Sequence, residues 1–444
     1  MGLFSQISVK YSQIYVVFGI EAFYNTAMER IYLCIDLKSF YASVECVERG
    51  LDPFEVNLVV ADPTRHGAIT LAATPAIKKL GVPSRGRIYE IDKNIEYIIA
   101  PPRMSLYMEY AARIYAIFLK YIAPEDIHVY SIDESFLDVT PYLKLYRMNA
   151  RSIARMILDD IYENTGITAT VGIGTNLFLT KVALDIEAKH TKDNMGYLDE
   201  DLFKQKLWHH TPLTDFWMIG PGTERRLSML GLNDLYDVAH VKEDILYRTF
   251  GINAEYIIDH SKGIEPVTIA DIKAYKPSSN SISNSQILFE DYSYEDAFLV
   301  MKEMVDCNVL TLTEKHLVTN HISLYIGYSK NIIKPSSGSM KITNTTNSCS
   351  LLMEEFIKLY KRIVIRGYPI RQIGIAFGNV KDEIYEQLDI FADIDDIEKE
   401  KKIQESLVKI REKYGKNAVL KGMNYYDKAT MRKRNGLIGG HNAA

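Results

Sequence analysis

Residues 31–35 form a compact apolar run rich in branched and aromatic side chains, the pattern of a buried strand, and the run ends in Asp36. Phe40, Val44 and Val47 then recur near one face of 39–49, which predicts a helix closed by Gly50 and Pro53. Apolar runs at 57–61 and 68–72 predict two further strands, and 75–80 a short helix stopped by Gly81 and Pro83. A long helix is predicted to start after Pro101-Pro102 and run over 104–121. Two short strands follow, 127–132 and 136–139, joined through Asp133 and Glu134. An amphipathic helix over 150–164, a strand over 168–173 and a long helix over 176–188 complete an alternation of hairpins and helices, an α+β pattern.

Residues 200–265 read as short helices. The polar stretch 276–281 reads as a linker, and beyond it strands (322–328, 370–378) again alternate with helices (294–310, 353–365). The tail after 384 is charged and helical in pattern. No apolar stretch reaches the roughly 18–20 residues that span a bilayer, and 14–20 lacks the basic flank and cleavage site of a secretory signal.

Three carboxylates stand out. Asp36 closes an apolar strand, and Asp133 and Glu134 sit side by side between two others. A carboxylate at the end of a buried strand is costly unless it is paired or bound to a cation, although a turn or cap residue explains a single one. Adjacent carboxylates repel, and a divalent cation with hard oxygen ligands relieves that repulsion. Cys34, Cys46, Cys307 and Cys349 form no C-x-x-C pair and have no zinc spacing. They read as reduced thiols, with Cys34 and Cys46 as small core residues of a cytoplasmic protein.

The wording around these acids carries a resemblance. Ile35-Asp36-Leu37-Lys38-Ser39-Phe40-Tyr41-Ala42-Ser43-Val44-Glu45 is similar to the first motif of the Y-family (UmuC/DinB-like) DNA polymerases. Tyr130-Ser131-Ile132-Asp133-Glu134-Ser135-Phe136-Leu137-Asp138 resembles their second carboxylate motif. Val171-Gly172-Ile173-Gly174-Thr175-Asn176 with Lys181-Val182-Ala183 resembles the strand–helix unit after it.

The resemblance implies a right-hand polymerase. Its palm and small fingers span 30–199, a helical thumb 200–275, an α/β little finger 276–384 and a charged C-terminal tail 385–444, with 1–29 an extension of unknown role. It implies an error-prone translesion DNA-directed DNA polymerase of DNA damage tolerance, working as a monomer on primer–template DNA and dNTPs. Asp36, Asp133, Glu134 and the Leu37 carbonyl would hold two Mg²⁺ ions. Tyr41 would be the steric gate against the ribose 2′-hydroxyl, with Phe40 lining the same pocket. Lys181 would reach the triphosphate, unless it is an ordinary solvated helix lysine. In the fingers, Pro75 and Lys78 stand where many relatives have a tyrosine and an arginine, so Thr74, Lys78 and Lys79 are expected to share the phosphate contact. Lys38 stands where many relatives have an acid or an asparagine.

Trp217 through Leu232 resembles a helix-hairpin-helix. In it Gly220 and Gly222 would offer backbone N–H groups to a DNA phosphate and Arg225 or Arg226 would add charge; an ordinary capped helix turn is the alternative. Gln387-Leu388-Asp389-Ile390-Phe391 resembles the peptide by which bacterial polymerases hook the sliding clamp. Gln387 would supply the hydrogen bonds, and Leu388, Ile390 and Phe391 the apolar anchors. No second carboxylate constellation suggests a proofreading nuclease. The rival reading is a catalytically silent DNA- or clamp-binding accessory protein on the same fold. It would dispense with the acidic trio, which is intact here.

Charge changes one part of this picture. The net charge of −5 is unfriendly to DNA as an average. Residues 401–444, however, hold 11 Lys+Arg against 3 Asp+Glu, while 277–383 hold 11 of each. Cations must therefore be segregated, and the tail is where they concentrate.

Overall fold

The computed structural model describes residues 30–64, 67–330, 332–384 and 394–443. The extension 1–29 and the clamp-like peptide 387–391 lie outside the described residues. The chain divides into two compact units, 1–276 with 442–444, and 277–441.

The first unit runs through β1 (Tyr32–Leu37), α1 (Phe40–Val47), β2 (Leu58–Val60), β3 (Ala72–Ala73), α2 (Pro75–Lys79), β4 (Ile98–Ala100), α3 (Met104–Phe118), β5 (Ile127–Val129), β6 (Glu134–Asp138), α4 (Ala150–Thr165), β7 (Ala169–Gly174), α5 (Leu177–Val182) and β8 (Met195–Leu198). Five strands make its main sheet in the order β5-β6-β1-β7-β8, with β1 antiparallel to both neighbours. β1 is central and covered on both faces, which is why it reads as a continuous apolar run rather than an alternation. Tyr32 and Cys34 pack with Phe136, Leu177 and Leu184 on one face. A smaller sheet, β3-β2-β4, carries α2 over a cluster of Val59, Ala73 and Ile77. The expected strand over 68–72 is reduced to a bridge at Ile69 and the two residues of β3. The reason is local: the Thr70 N–H and hydroxyl both donate to the Gly86 carbonyl instead of a ladder.

The glycines of β7 decide how closely α5 can lie. A Cβ on Gly172 would sit 2.1 Å from the Thr180 carbonyl oxygen, and one on Gly174 would sit 2.5 Å from the Thr180 nitrogen. Backbone therefore rests directly on backbone. The expected single helix over 176–188 holds its α geometry only through α5. It widens to a π turn at Ala183–Glu187, where Asp185 sits, and tightens over Ala188–His190. Residues 200–274 are mainly short helices, including α6 (Pro221–Met229), around a core of Phe203, Phe216, Leu227 and Leu246.

The second unit has β9 (Asn280–Tyr292), α7 (Tyr294–Glu314), β10 (Leu317–Tyr328), β11 (Ser336–Thr346), α8 (Cys349–Ile363), β12 (Ile370–Asp382), α9 (Ile394–Tyr414) and α10 (Met431–Arg434). Its sheet runs β11-β10-β12-β9, antiparallel throughout. Two of these strands escaped the hydrophobic pattern, and both are edges. β9 begins inside the expected linker and exposes Ser281, Ser283 and Ser285, and β11 exposes Ser337, Ser339 and Lys341. A strand with one neighbour and a small polar outer face carries little apolar periodicity. The residues after 394 form a further layer, with α9 packed against α7.

Candidate active site

The site sits at the end of β1. Register places Asp36 opposite Glu134 of β6 and Thr170 of β7. The Leu37 N–H donates to the Asp133 carbonyl at 2.9 Å, so the first motif is tied to the second through the backbone. Three carboxylates thus meet on two adjacent strands although about a hundred residues separate them in sequence.

Their electrostatics are those of a cluster only partly compensated by lysines. Burial first, then the charges of Asp133 and Glu134, push the Asp36 carboxyl up to about 7, against a weaker opposing pull from Lys181 and Lys189. Two of the acids are turned to internal partners. Glu134 Oε1 faces the Lys181 ammonium at 2.8 Å and accepts from the Cys34 thiol at 3.1 Å. Asp133 Oδ1 accepts from the Ser131 hydroxyl at 2.6 Å. In this arrangement no group of three or more His, Cys, Asp or Glu side chains among the described residues is set as a ready-made metal cage. The chemistry of the donor set still fits a divalent cation. It is all hard oxygen, and the repulsion that raises Asp36 is what such a cation relieves.

Lys181 is buried and bridges Glu134 to Asp185, at 2.8 and 2.9 Å. Burial works against its charge, but Cys34, Glu134 and Asp185 outweigh it and hold its pKa well above the ordinary lysine range. It is turned inward to acids and not to open solvent. Lys189, which the motif reading passed over, is half exposed and pairs with Asp185 at 3.2 Å; its charge acts on both Asp36 and Lys78. The π turn at Ala183–Glu187 takes Lys189 off the regular helical spacing from Lys181, so no period along the chain pointed to it.

Lys78 is brought to the site, its ammonium donating to the Ser39 hydroxyl at 2.8 Å, with its pKa lowered by burial. Thr74 is not. It is fully buried, and its hydroxyl is used between the Val56 carbonyl and the Leu58 N–H. Pro75 is simply the first residue of α2. Lys38 turns to the Asn194 side chain.

Ser39 takes the left-handed conformation, φ 48°, and turns the chain from β1 into α1. Tyr41 follows and lies nearly parallel to Tyr107, with centroids 4.4 Å apart and planes at 14°. Phe40 is buried at 5.7 Å from Tyr41. Under Tyr107 lies a network absent from the motif reading. The fully buried Glu45 accepts from the Tyr107 hydroxyl (2.7 Å), from Arg103 through Nε (3.0 Å) and Nη2 (2.8 Å), and from Arg49. Burial alone would raise its pKa, but these donors overcome it and hold the carboxyl below the usual glutamate range. Glu45→Ala leaves two half-buried guanidiniums and a buried phenol without their acceptor. We expect a loss of about 3–5 kcal/mol in denaturant unfolding at pH 7. Because the native pKa is depressed, the wild-type advantage should fade as pH falls through the acid range.

Gly220 caps α6, and both Gly220 and Gly222 are exposed with open space around them. Arg225 is exposed, whereas Arg226 lies over the Phe250 ring at 4.5 Å. Among the described residues no helix is long and apolar enough to cross a membrane.

A five-stranded palm with acids converging on its central strands, and a separate four-stranded α/β unit, define the class of fold as the right-hand polymerase of Y-family type. Residues 35–185 match the impB/mucB/samB family and 279–390 match the impB/mucB/samB family C-terminal domain. The Bacillus subtilis (strain 168) protein UvrX, whose provisional name assigns it to UV-damage repair, is 33% identical over 94% of this chain and 99% of its own length. DNA polymerase IV 2 of the same organism is 27% identical over 93% and 99%. A solved Y-family DNA polymerase chimera of Dbh and Dpo4 shares the fold, with a TM-score of 0.63 at 23% identity over 79% of this chain and 99% of that one. The chain belongs to the impB/mucB/samB family, the UmuC/DinB-like branch of the Y-family DNA polymerases.

Proposed function

We propose that the chain is a translesion DNA-directed DNA polymerase that adds dNTPs to a primer 3′ end opposite damaged or undamaged template, with the low fidelity of an open site. The observation that carries this reading is the convergence of Asp36, Asp133 and Glu134, with Asp36 pushed to about 7 by burial and by the charges of its neighbours, beside the stacked ring of Tyr41. A silent accessory protein has no use for that costly cluster.

Asp36, Asp133, Glu134 and the Leu37 carbonyl would hold two divalent cations, Mg²⁺ by the hardness of the donors. When bound, they neutralise phosphate charge and lower the pKa of the attacking oxygen. The chain's own residues do the rest. Tyr41, fixed by Tyr107, offers a flat wall to the sugar and leaves no room for a 2′-hydroxyl, while Phe40 backs the same pocket. Lys189 and Lys78 would meet the triphosphate, and Lys181 compensates Glu134 and Asp185. The primer oxygen bonds to the α-phosphorus as the bond to the β,γ-pyrophosphate breaks. Gly220 and Gly222, with Arg225, hold a phosphate of the duplex without reading its sequence.

The deciding experiment is primer extension on undamaged and lesion-bearing templates with Mg²⁺ and dNTPs. Template-directed extension is expected, and no incorporation would end the reading.

The peptide Gln387, Leu388, Ile390 and Phe391 fits a hydrophobic groove on a bacterial sliding clamp, with the glutamine amide for hydrogen bonds. Deleting 387–391 should abolish measurable clamp binding in a pull-down and leave distributive synthesis unchanged. Equal clamp affinity afterwards would remove the role.

A further inference from the structure

The charged C-terminal segment is a folded part of the second unit, and two buried acids of α7 set its course. Glu303, 1% exposed, accepts four hydrogen bonds from it: Asn424 Nδ2 at 2.8 Å, the Thr430 N–H at 2.7 Å, the Thr430 hydroxyl at 3.2 Å and the Met431 N–H at 3.2 Å. Asp306, also buried, pairs with Lys421 at 2.5 Å. This latch fixes the chain up to Met431, the buried first residue of α10, and so fixes where the next three residues stand.

Those residues are Arg432, Lys433 and Arg434. Arg432 lies over the Tyr425 ring at 4.9 Å and Lys433 over the Phe289 ring at 4.3 Å, both exposed. Arg434 donates to Asn284 at 3.3 Å. The turn at 416–417 is knitted to the same place: Asn417 Nδ2 donates to the Arg432 carbonyl, and Asn435 Nδ2 donates to Asn417 Oδ1 and the Lys416 carbonyl. Burial raises the Cys307 thiol of α7, and the charges of Arg411, Lys416 and Arg434 act against that rise. Phe289 and Asn284 belong to β9, the sheet edge whose outer positions include Ser281, Ser283 and Ser285 and which carries no acid before Glu290. Glu290 is itself neutralised by Lys428 at 2.5 Å. Aromatic rings hold Arg432 and Lys433 in place, and neither has an acid partner among the described residues, which leaves their charge available to an outside anion.

We propose that Arg432 and Lys433, with Lys416 and Arg434 beside them, form a platform on the β9 edge that binds the phosphate backbone of duplex DNA. The charge pattern favours this occupant. Residues 277–383 hold as many acids as bases, whereas this edge joins a cluster of cations to a row of small hydroxyl side chains that lets a phosphate strand approach closely. The choice of DNA rests on the polymerase reading; the platform itself rests on the geometry.

The test is the double variant Arg432→Gln/Lys433→Gln, measured by fluorescence anisotropy on a non-extendable primer–template duplex across a salt series. Two lost phosphate contacts should lower the slope of log K against log salt by about 1.8 and weaken binding about tenfold at 0.1 M salt. The melting temperature should be unchanged, since both side chains are exposed. The same Kd and slope as wild type would overturn the platform. Glu303→Gln is the second arm, because it puts an amide donor against the latch N–H groups. It should open 411–434 to trypsin and weaken DNA binding by a similar factor. Trypsin cutting with full DNA affinity would show that the cations need no platform. A wild-type protein that binds no duplex overturns the polymerase reading as well, whereas equal binding by wild type and the double variant overturns only this one.

Discussion

Asp36→Asn is expected to abolish primer extension and at the same time to make the ion-free protein more stable. The loss follows from the place of Asp36 on β1, opposite Glu134 and beside Asp133. An amide cannot balance cation charge, and several kcal/mol of transition-state stabilisation go with it. At about 1.4 kcal/mol per decade, that is at least a roughly thousandfold fall in rate.

The gain in stability follows from the same geometry. The Asp36 carboxyl has an ordinary pKa of 3.8 and is pushed to about 7 in the fold, so the native state keeps a proton that the unfolded chain has released. Stability therefore drops as pH rises from about 4 to 7, and the full penalty is present above pH 7. The near-isosteric amide removes that penalty. Each kcal/mol recovered is worth about 2–4 °C in a chain with domains of this size, so the variant should melt at least about 2 °C higher than wild type at pH 8 in EDTA. Acidifying from pH 8 to 6 should stabilise the wild type more than the variant, and added Mg²⁺ should raise the wild-type melting temperature by more as well. Residual extension within tenfold of wild type would sink the assignment of Asp36. A variant that melts lower at pH 8 would sink the account of the cluster as strained.

Why some of this could be read from the chain and some could not is a matter of which interactions leave a local trace. β1, β6 and β7 are buried strands whose apolar runs are visible one residue at a time, as are the acids that end β1 and begin β6. So are the turns and glycines of the third motif, because Gly172 and Gly174 are required by a helix only a few residues on. The edge strands β9 and β11 are built from serines and threonines whose pairing is a backbone affair, and no side-chain period announces them. The Glu45 network joins residues about sixty apart, so Glu45 looked like one more polar position on a helix whose apolar face was Phe40, Val44 and Val47. Lys181 was read by its motif as a phosphate contact, but its depth beneath Glu134 is a property of how closely α5 lies on β7. The more exposed Lys189 was hidden by the π turn between them. The basic tail was visible as composition alone. That it is held by two acids of α7 depends on contacts across more than a hundred residues.

Tyr41→Ala should collapse the discrimination between deoxyribonucleotides and ribonucleotides while leaving the fold intact. The ring is rigidly placed. It stacks on Tyr107 at 4.4 Å, Tyr107 is held by the buried Glu45, and Glu45 is clamped by Arg103 and Arg49. A wall fixed in this way cannot swing aside for an added hydroxyl, and forcing an extra atom into packed space costs about 1–3 kcal/mol. Removing the ring returns that cost, so the ratio of kcat/KM for dNTP over rNTP should fall by about 10- to 100-fold, mostly through a rise in rNTP incorporation. Tyr107→Phe separates the wall from its support. The ring and its stacking remain and only the 2.7 Å bond to Glu45 is lost, so discrimination should soften by less than in Tyr41→Ala while dNTP turnover persists. Competing dNTP and rNTP in a single primer extension, read by alkaline cleavage of the product, measures both. If Tyr41→Ala discriminates as well as wild type, the sugar is sensed elsewhere, and the stacked pair is only a piece of core between α1 and α3.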